Sequence, residues 1–171
     1  MGGERRPHIV VMGVTGCGKS TIARQVAEIT GAEFLDADDL HPPANVAKMA
    51  TGIPLTDADR GPWLTAVRDW LRTRSAGVVA CSALRRRYRD VLRNGSESVA
   101  FVHLDGVPAT IRSRMSARRG HFMRPVLLDS QLALLEPLEP DEFGVVLDVA
   151  AAPEEIARSV VDFARDPAVA R

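Results

Sequence analysis

His8-Ile9-Val10-Val11-Met12 runs without a break into Gly13-Val14-Thr15-Gly16-Cys17-Gly18-Lys19-Ser20-Thr21. The first five residues read as a buried strand feeding a tight loop. Gly13 to Ser20 fits the phosphate-loop spacing, with Gly13 and Gly18 at its fixed positions and Lys19-Ser20 at its end. Ile22, Val26 and Ile29 then recur at helical spacing, and Gly31 supplies the stop. A glycine-rich loop between a strand and a helix N-terminus aims backbone N–H groups and the positive helix end at phosphates. Lys19 is therefore expected to reach the β- and γ-phosphates of a nucleotide, and Ser20 to ligate Mg2+. Val14, Thr15, Gly16, Cys17 and Thr21 complete the expected nucleotide contacts. Cys17 has two readings: a thiolate favoured by the helix end and by Lys19, or an inert small hydrophobe packed on the sheet.

Downstream, residues 33–35 form a second short apolar run that ends in Asp36, Asp38 and Asp39. Alternation along a strand would send Asp36 and Asp38 to one side, one to orient magnesium-bound water and the other to hold the hydroxyl being phosphorylated. Pro42 and Pro43 read as breakers, before a short helix over 44–49 and a longer one with Trp63, Val67, Trp70 and Leu71 on one face as core packing. Residues 77–81, 99–104 and 145–149 are three further strands, and 84–93 is a basic helix closed by Asn94-Gly95. Ile111 and Met115 mark a helix that runs into Arg118-Arg119-Gly120, a hinge. Residues 120–129 show little periodicity, as in a loop or lid, before a short helix near 132–135, and Ile156, Val160 and Phe163 define a last helix.

Strands alternating with helices predict an α/β fold, a parallel five-stranded sheet with helices on both faces. Ligands of such sheets bind beyond the carboxyl ends of the strands, where the loop, the acidic cluster and Ser82 fall. The 171 residues, 46% apolar, suit one domain. Within it, 8–36 hold the first strand, loop, helix and second strand, 37–75 a substrate-binding helical segment, and 118–130 the lid.

The 22 basic residues balance 22 acidic ones, so no global field draws nucleic acid or an anionic membrane. No apolar run reaches the ~20 residues of a membrane span, and the first seven residues lack a secretory core. A cytoplasmic protein is expected, its two cysteines reduced. Lys19 and Lys48 are the only lysines among many arginines, which singles out Lys48 as a candidate ligand for an anion. The run Arg85-Arg86-Arg87 with Arg89 reads as a solvated helix face rather than a nucleic-acid patch, with Arg85 set apart at a strand's carboxyl end. No His/Cys spacing resembles a zinc site.

A further ordered set follows the loop: Phe34 through Asp36, Asp38 and His41 to Pro42, then Asn45, Lys48-Met49-Ala50-Thr51-Gly52, Leu55, Asp59-Arg60 and Pro62-Trp63-Leu64. It continues in Cys81-Ser82-Ala83-Leu84, Tyr88-Arg89-Asp90, Gly120-His121-Phe122-Met123, Leu128-Asp129-Ser130-Gln131-Leu132 and Leu135-Glu136-Pro137. Together these segments resemble the gluconate kinases (gluconokinases) of the P-loop small-molecule kinases over nearly the whole chain. The resemblance implies a nucleoside-kinase-like core with an ATP-covering lid. It also implies transfer of the γ-phosphoryl group of ATP to the terminal hydroxyl of D-gluconate, giving 6-phosphogluconate and ADP. Asp38 becomes the candidate for the attacking hydroxyl, while Lys48, Arg60, Arg85, His41 and His121 are candidates for an anionic polyol. Arg118 is expected against the nucleotide, and Arg124 on the transferring phosphates. The sequence leaves the oligomeric state open, a homodimer included.

Two departures stand out. The third strand ends in Cys81-Ser82 where a Walker B aspartate would stand, so Mg2+ relies on Ser20, phosphates, water and Asp36. Cys17 replaces the serine more usual in the family. Two rivals remain. A shikimate-type kinase is disfavoured by Lys48-Met49 and Asp59-Arg60, and a guanine-selective nucleotide switch would carry an Asn-Lys-x-Asp-like base reader that this chain lacks.

Overall fold

Ile9 to Met12 are apolar at every position because β1 (His8–Met12) is covered on both faces. The computed structural model describes residues 6–94, 98–117 and 125–166. After β1 come α1 (Lys19–Thr30), β2 (Glu33–Asp36), a 3-10 turn (Ala37–Leu40), α2 (Pro43–Ala50), α3 (Asp57–Arg72), β3 (Gly77–Ala80) and α4 (Arg86–Arg93). The chain continues through β4 (Val99–Asp105), α5 (Pro108–Ala117), α6 (Pro125–Leu134), β5 (Gly144–Asp148) and α7 (Pro153–Arg165).

The five strands pair in the order β2-β3-β1-β4-β5, and every pair is parallel. β1 is central, with β3 on one side and β4 on the other, so connections leave it in opposite directions. A ligand crevice is expected at its carboxyl end. Edge strand β5 alternates, with Val146 exposed between the half-buried Val145 and Leu147. α1 and α7 pack side by side, and α3 lies against α4. No helix among the described residues is long and apolar enough to cross a membrane.

Several expectations require correction. Pro43 opens α2 instead of breaking it, since a first-turn proline has no N–H to lose. β2 ends at Asp36, whose carboxylate accepts the Asp38 N–H at 3.1 Å, and the chain turns there into the 3-10 turn. Strand alternation therefore does not relate Asp36 to Asp38. α6 begins at Pro125, so 125–130 of the expected lid are helical; 118–124 lie outside the described residues.

The arginine run is a solvated face only in part, since Arg87 is exposed but Arg86 and Arg89 are engaged with carboxylates. Arg89 is fully buried on Glu142, Arg86 pairs with Asp90, Glu139 and Asp141, and Arg87 pairs with Asp57.

Candidate active site

The loop after β1 takes its shape from glycines. Gly13 has φ 143°, and a Cβ there would sit 2.8 Å from the Leu104 carbonyl oxygen. Gly18, at φ 99°, stands at the N-cap of α1 and offers no side chain to that helix end. The first N–H groups of α1 are thus left for an outside acceptor, as an anion site requires. Lys19 Nζ donates to the Val14 carbonyl at 3.0 Å, folding its ammonium over the loop. Ser20 Oγ donates to Asp36 Oδ2 at 2.7 Å, which joins the loop to the end of β2.

A cleft of about 330 Å³ opens above these groups. The loop lines one part with Thr15, Gly16, Gly18, Lys19 and Ser20, and β2 and its turn contribute Asp36, Asp38, Asp39 and His41. The 37–75 segment adds Met49, Pro54, Leu55, Arg60 and Trp63; Ala80 and Ser82 come from the end of β3, and Leu127, Ser130 and Gln131 from α6.

Trp63 does more than pack. Its Nε1 donates to the Ala37 carbonyl at 2.6 Å, and its ring stacks on His41 with centroids 4.1 Å apart. His41 is thereby clamped, its side chain 3% exposed. Burial, reinforced by the nearby Arg60 charge, lowers its pKa to about 4. The Asn45 side-chain amide lies 3.2 Å from Nδ1 and donates to it, so the neutral ring carries its proton on Nε2, 3.7 Å from Asp38 Oδ1. Arg60 is buried, donates to the Leu55 carbonyl and lies over the Tyr88 ring at 5.5 Å.

The cleft thus brings together Lys19, Ser20, Asp36, Asp38, His41 and Arg60. Lys48 and Arg85 do not line it. Lys48 Nζ is held by both carboxylate oxygens of Asp59, at 3.0 and 2.8 Å, while Asp59 closes a capping box with Thr56 at the start of α3. That ion pair, followed by the Thr56 hydrogen bonds, draws the Asp59 carboxyl down to about 2. Arg85 Nε is buried and has no hydrogen-bond partner among the described residues. Arg118, His121 and Arg124 lie outside the described residues.

A second recess of about 270 Å³ lies on the other side of the loop, between Gly16, Gly18, Thr21 and the turn from Val149 to Pro153. Arg114 lines it and donates to the Val149 carbonyl at 2.8 Å. Sequence reasoning missed this turn, whose residues carry no charge or motif. It also gave no role to Gln131, which stands in the polar run Asp129-Ser130-Gln131 with nothing in the sequence to single it out.

The shikimate kinase family matches residues 15–162. A gluconokinase of Gluconobacter oxydans (strain 621H) is 51% identical over 138 residues, 78% of each chain. The chain belongs to the gluconokinase family. Among solved structures, a gluconokinase from Sinorhizobium meliloti 1021 superposes with TM-score 0.86 at 46% identity, covering 92% of this chain and 91% of that one. An unliganded sugar kinase from Janibacter sp. HTCC2649 gives TM-score 0.89 at 52% identity, covering 96% and 98%.

Proposed function

We propose a division of labour among these residues for the reaction of this kinase. The chain transfers the γ-phosphoryl group of ATP to the terminal hydroxyl of D-gluconate, giving 6-phosphogluconate and ADP. The observation that carries the assignment is that Asp38, His41 and Arg60 share one cleft with Lys19 and Ser20.

Asp38 accepts the hydrogen bond of the attacking hydroxyl and takes its proton as the new O–P bond forms. His41 offers Nε2–H to a neighbouring hydroxyl and remains uncharged. Arg60 supplies positive charge to the substrate carboxylate, and Arg85, whose buried Nε has no partner among the described residues, is a second candidate for it; a charge-assisted bond suits both. Lys48 is proposed as a further gluconate contact, which requires it to leave Asp59. Lys19 meets the β- and γ-phosphates, and the recess beside Arg114 takes the nucleoside. Arg118, Arg124 and His121 keep the roles that family resemblance implies, at the nucleotide, the transferring phosphates and gluconate. Together they form one domain with an acceptor segment over 37–75 and a lid over 118–130.

The donor set fits Mg2+: a hydroxyl and a carboxylate, both hard oxygen groups, meet at the end of the loop as Ser20 and Asp36. Among the described residues no cluster of three or more His, Cys, Asp or Glu side chains could hold a metal, so phosphates and water would complete the shell. Bound there, the ion would neutralise charge on the β- and γ-phosphates. Two buried free cysteines and the lack of a membrane-crossing helix among the described residues support a cytoplasmic enzyme.

The test is a coupled ADP-release assay with gluconate, shikimate, glucose or no acceptor. Gluconate alone should stimulate release. Equal stimulation by shikimate, or none by any acceptor, would overturn the reading. Lys48→Met should raise the KM for gluconate more than that for ATP, and two unchanged constants would leave Lys48 as a surface residue.

A further inference from the structure

Gln131 Oε1 accepts the Thr15 backbone N–H at 2.7 Å. Thr15 belongs to the phosphate loop, and both residues line the cleft that holds Lys19, Ser20 and Asp38. Because the partner is an N–H, the carboxamide oxygen must be the atom turned toward the loop. The Nε2 donors take no part in that contact, and Gln131 lines the cleft.

The helix that carries Gln131 is anchored on the acceptor side. Leu127, one turn earlier, packs with Met49 and Leu55 in a small apolar cluster separate from the main core. Leu128 is fully buried in the main core itself. Residues four apart share a helix face, so one face of α6 touches both the acceptor segment and the nucleotide loop.

The residue type is informative. A primary carboxamide presents an acceptor and two donors side by side with no net charge. A glutamate would satisfy Thr15 equally well while placing a negative charge beside phosphates. An alanine would leave the Thr15 N–H without its acceptor. Gln131 meets both demands: it accepts from the loop, and it can donate to an anion.

We propose that Gln131 contacts the phosphoryl group in flight. With Oε1 fixed on Thr15, Nε2–H donates to a non-bridging oxygen of that group while the bond to the ADP oxygen breaks and the bond to the gluconate oxygen forms. The leaving ADP oxygen keeps the electron pair, the hydroxyl proton goes to Asp38, and Gln131 neither gains nor loses a proton. The contact rests on the gluconate kinase reaction assigned above and adds to it a donor from α6.

The test uses Gln131→Glu and Gln131→Met in the full-length enzyme. Loss of one preorganised donor at a reacting oxygen costs on the order of 10²-fold in kcat. Gln131→Glu should show that loss near pH 8, with the KM for ATP within about threefold of wild type. Its kcat relative to wild type should recover as pH falls toward about 4.5, where the carboxyl takes up a proton and again offers a donor. Gln131→Met, uncharged and of similar length, should lose kcat without that recovery. Thermal melting of both variants separates these effects from misfolding, and if one variant does not fold the other still reads kcat against KM. Wild-type kcat in Gln131→Glu near pH 8, or a loss confined to the KM for ATP in either variant, would overturn the proposal. Wild-type enzyme inactive on gluconate would instead overturn the reaction assigned above.

Discussion

Arg89 and Glu142 form a buried pair in which the arginine uses all five of its N–H donors. Nε and Nη2 reach the two carboxylate oxygens of Glu142 at 2.6 and 2.8 Å, and the remaining donors go to the carbonyls of Ala83, Glu136 and Pro137 at 3.1 to 3.2 Å. The Ala83 contact fixes the turn after β3, where Ala83 has φ 44° and the preceding Ser82 accepts the Gly13 N–H at 3.2 Å. Arg89 therefore braces the cleft from behind without entering it.

Arg89→Lys should be strongly destabilising. An ammonium keeps the charge but offers three compact donors where the planar fork offers five, so buried acceptors among Glu142 and the three carbonyls lose their partners at about 1–3 kcal/mol each. Urea unfolding should show a lower midpoint with an unchanged slope. A midpoint equal to wild type would mean that the carbonyl contacts alone hold the turn.

That pair marks where sequence reading stops. Gly13 to Ser20 was legible because its chemistry is local: glycine dihedrals, a strand before and a helix after. The strands were legible because residues such as Val10 and Phe101 are apolar without alternation, the pattern of a sheet covered on both faces. Arg89 was misread because its partners lie about fifty residues away, in the segment before β5. Asp38 was assigned to the cleft for a wrong geometric reason: the Asp36 side chain caps a 3-10 turn, and a side-chain-to-backbone bond overrides strand alternation. Lys48 stood out by composition, which says nothing of whether Asp59 would claim it.

Asp38→Asn should lose turnover while retaining ATP affinity. The amide keeps the size of the group but cannot take a proton, and general-base and positioning effects are worth on the order of 10²–10⁴-fold. Steady-state kinetics with gluconate, together with ADP binding by calorimetry, read the two quantities separately. Turnover within a few-fold of wild type would remove Asp38 from the reaction.

His41 should make the fold sensitive to moderate acid. Its folded pKa, lowered first by burial and then by Arg60, is about 4 against 6.5 for an unperturbed imidazole. As pH falls below 6.5 the unfolded chain binds a proton that the folded chain does not, so stability declines until about pH 4 and levels off below it. The full effect is roughly 3 kcal/mol at most, since each tenfold change in proton affinity is worth about 1.4 kcal/mol. His41→Gln should flatten this part of the stability profile, and NMR titration of His41 should show a neutral ring at pH 6. An ordinary imidazole titration near 6.5 would refute the assignment.

The thiols should be silent in the native enzyme. Cys17 is 2% exposed and sits among the core residues, so the packed reading of that side chain prevails over the reactive one. Cys81 is 1% exposed, and burial pushes its thiol up to about 12, far from thiolate chemistry at neutral pH. A reagent needs both access and a thiolate, and proximity of Cys17 to a helix N-terminus supplies neither access nor a path. A chromogenic disulfide reagent should therefore titrate no thiol in folded protein and two after denaturation, and gluconate kinase activity should survive the treatment. Rapid inactivation that Mg-ATP slows and Cys17→Ser abolishes would show instead that the loop opens enough to expose Cys17.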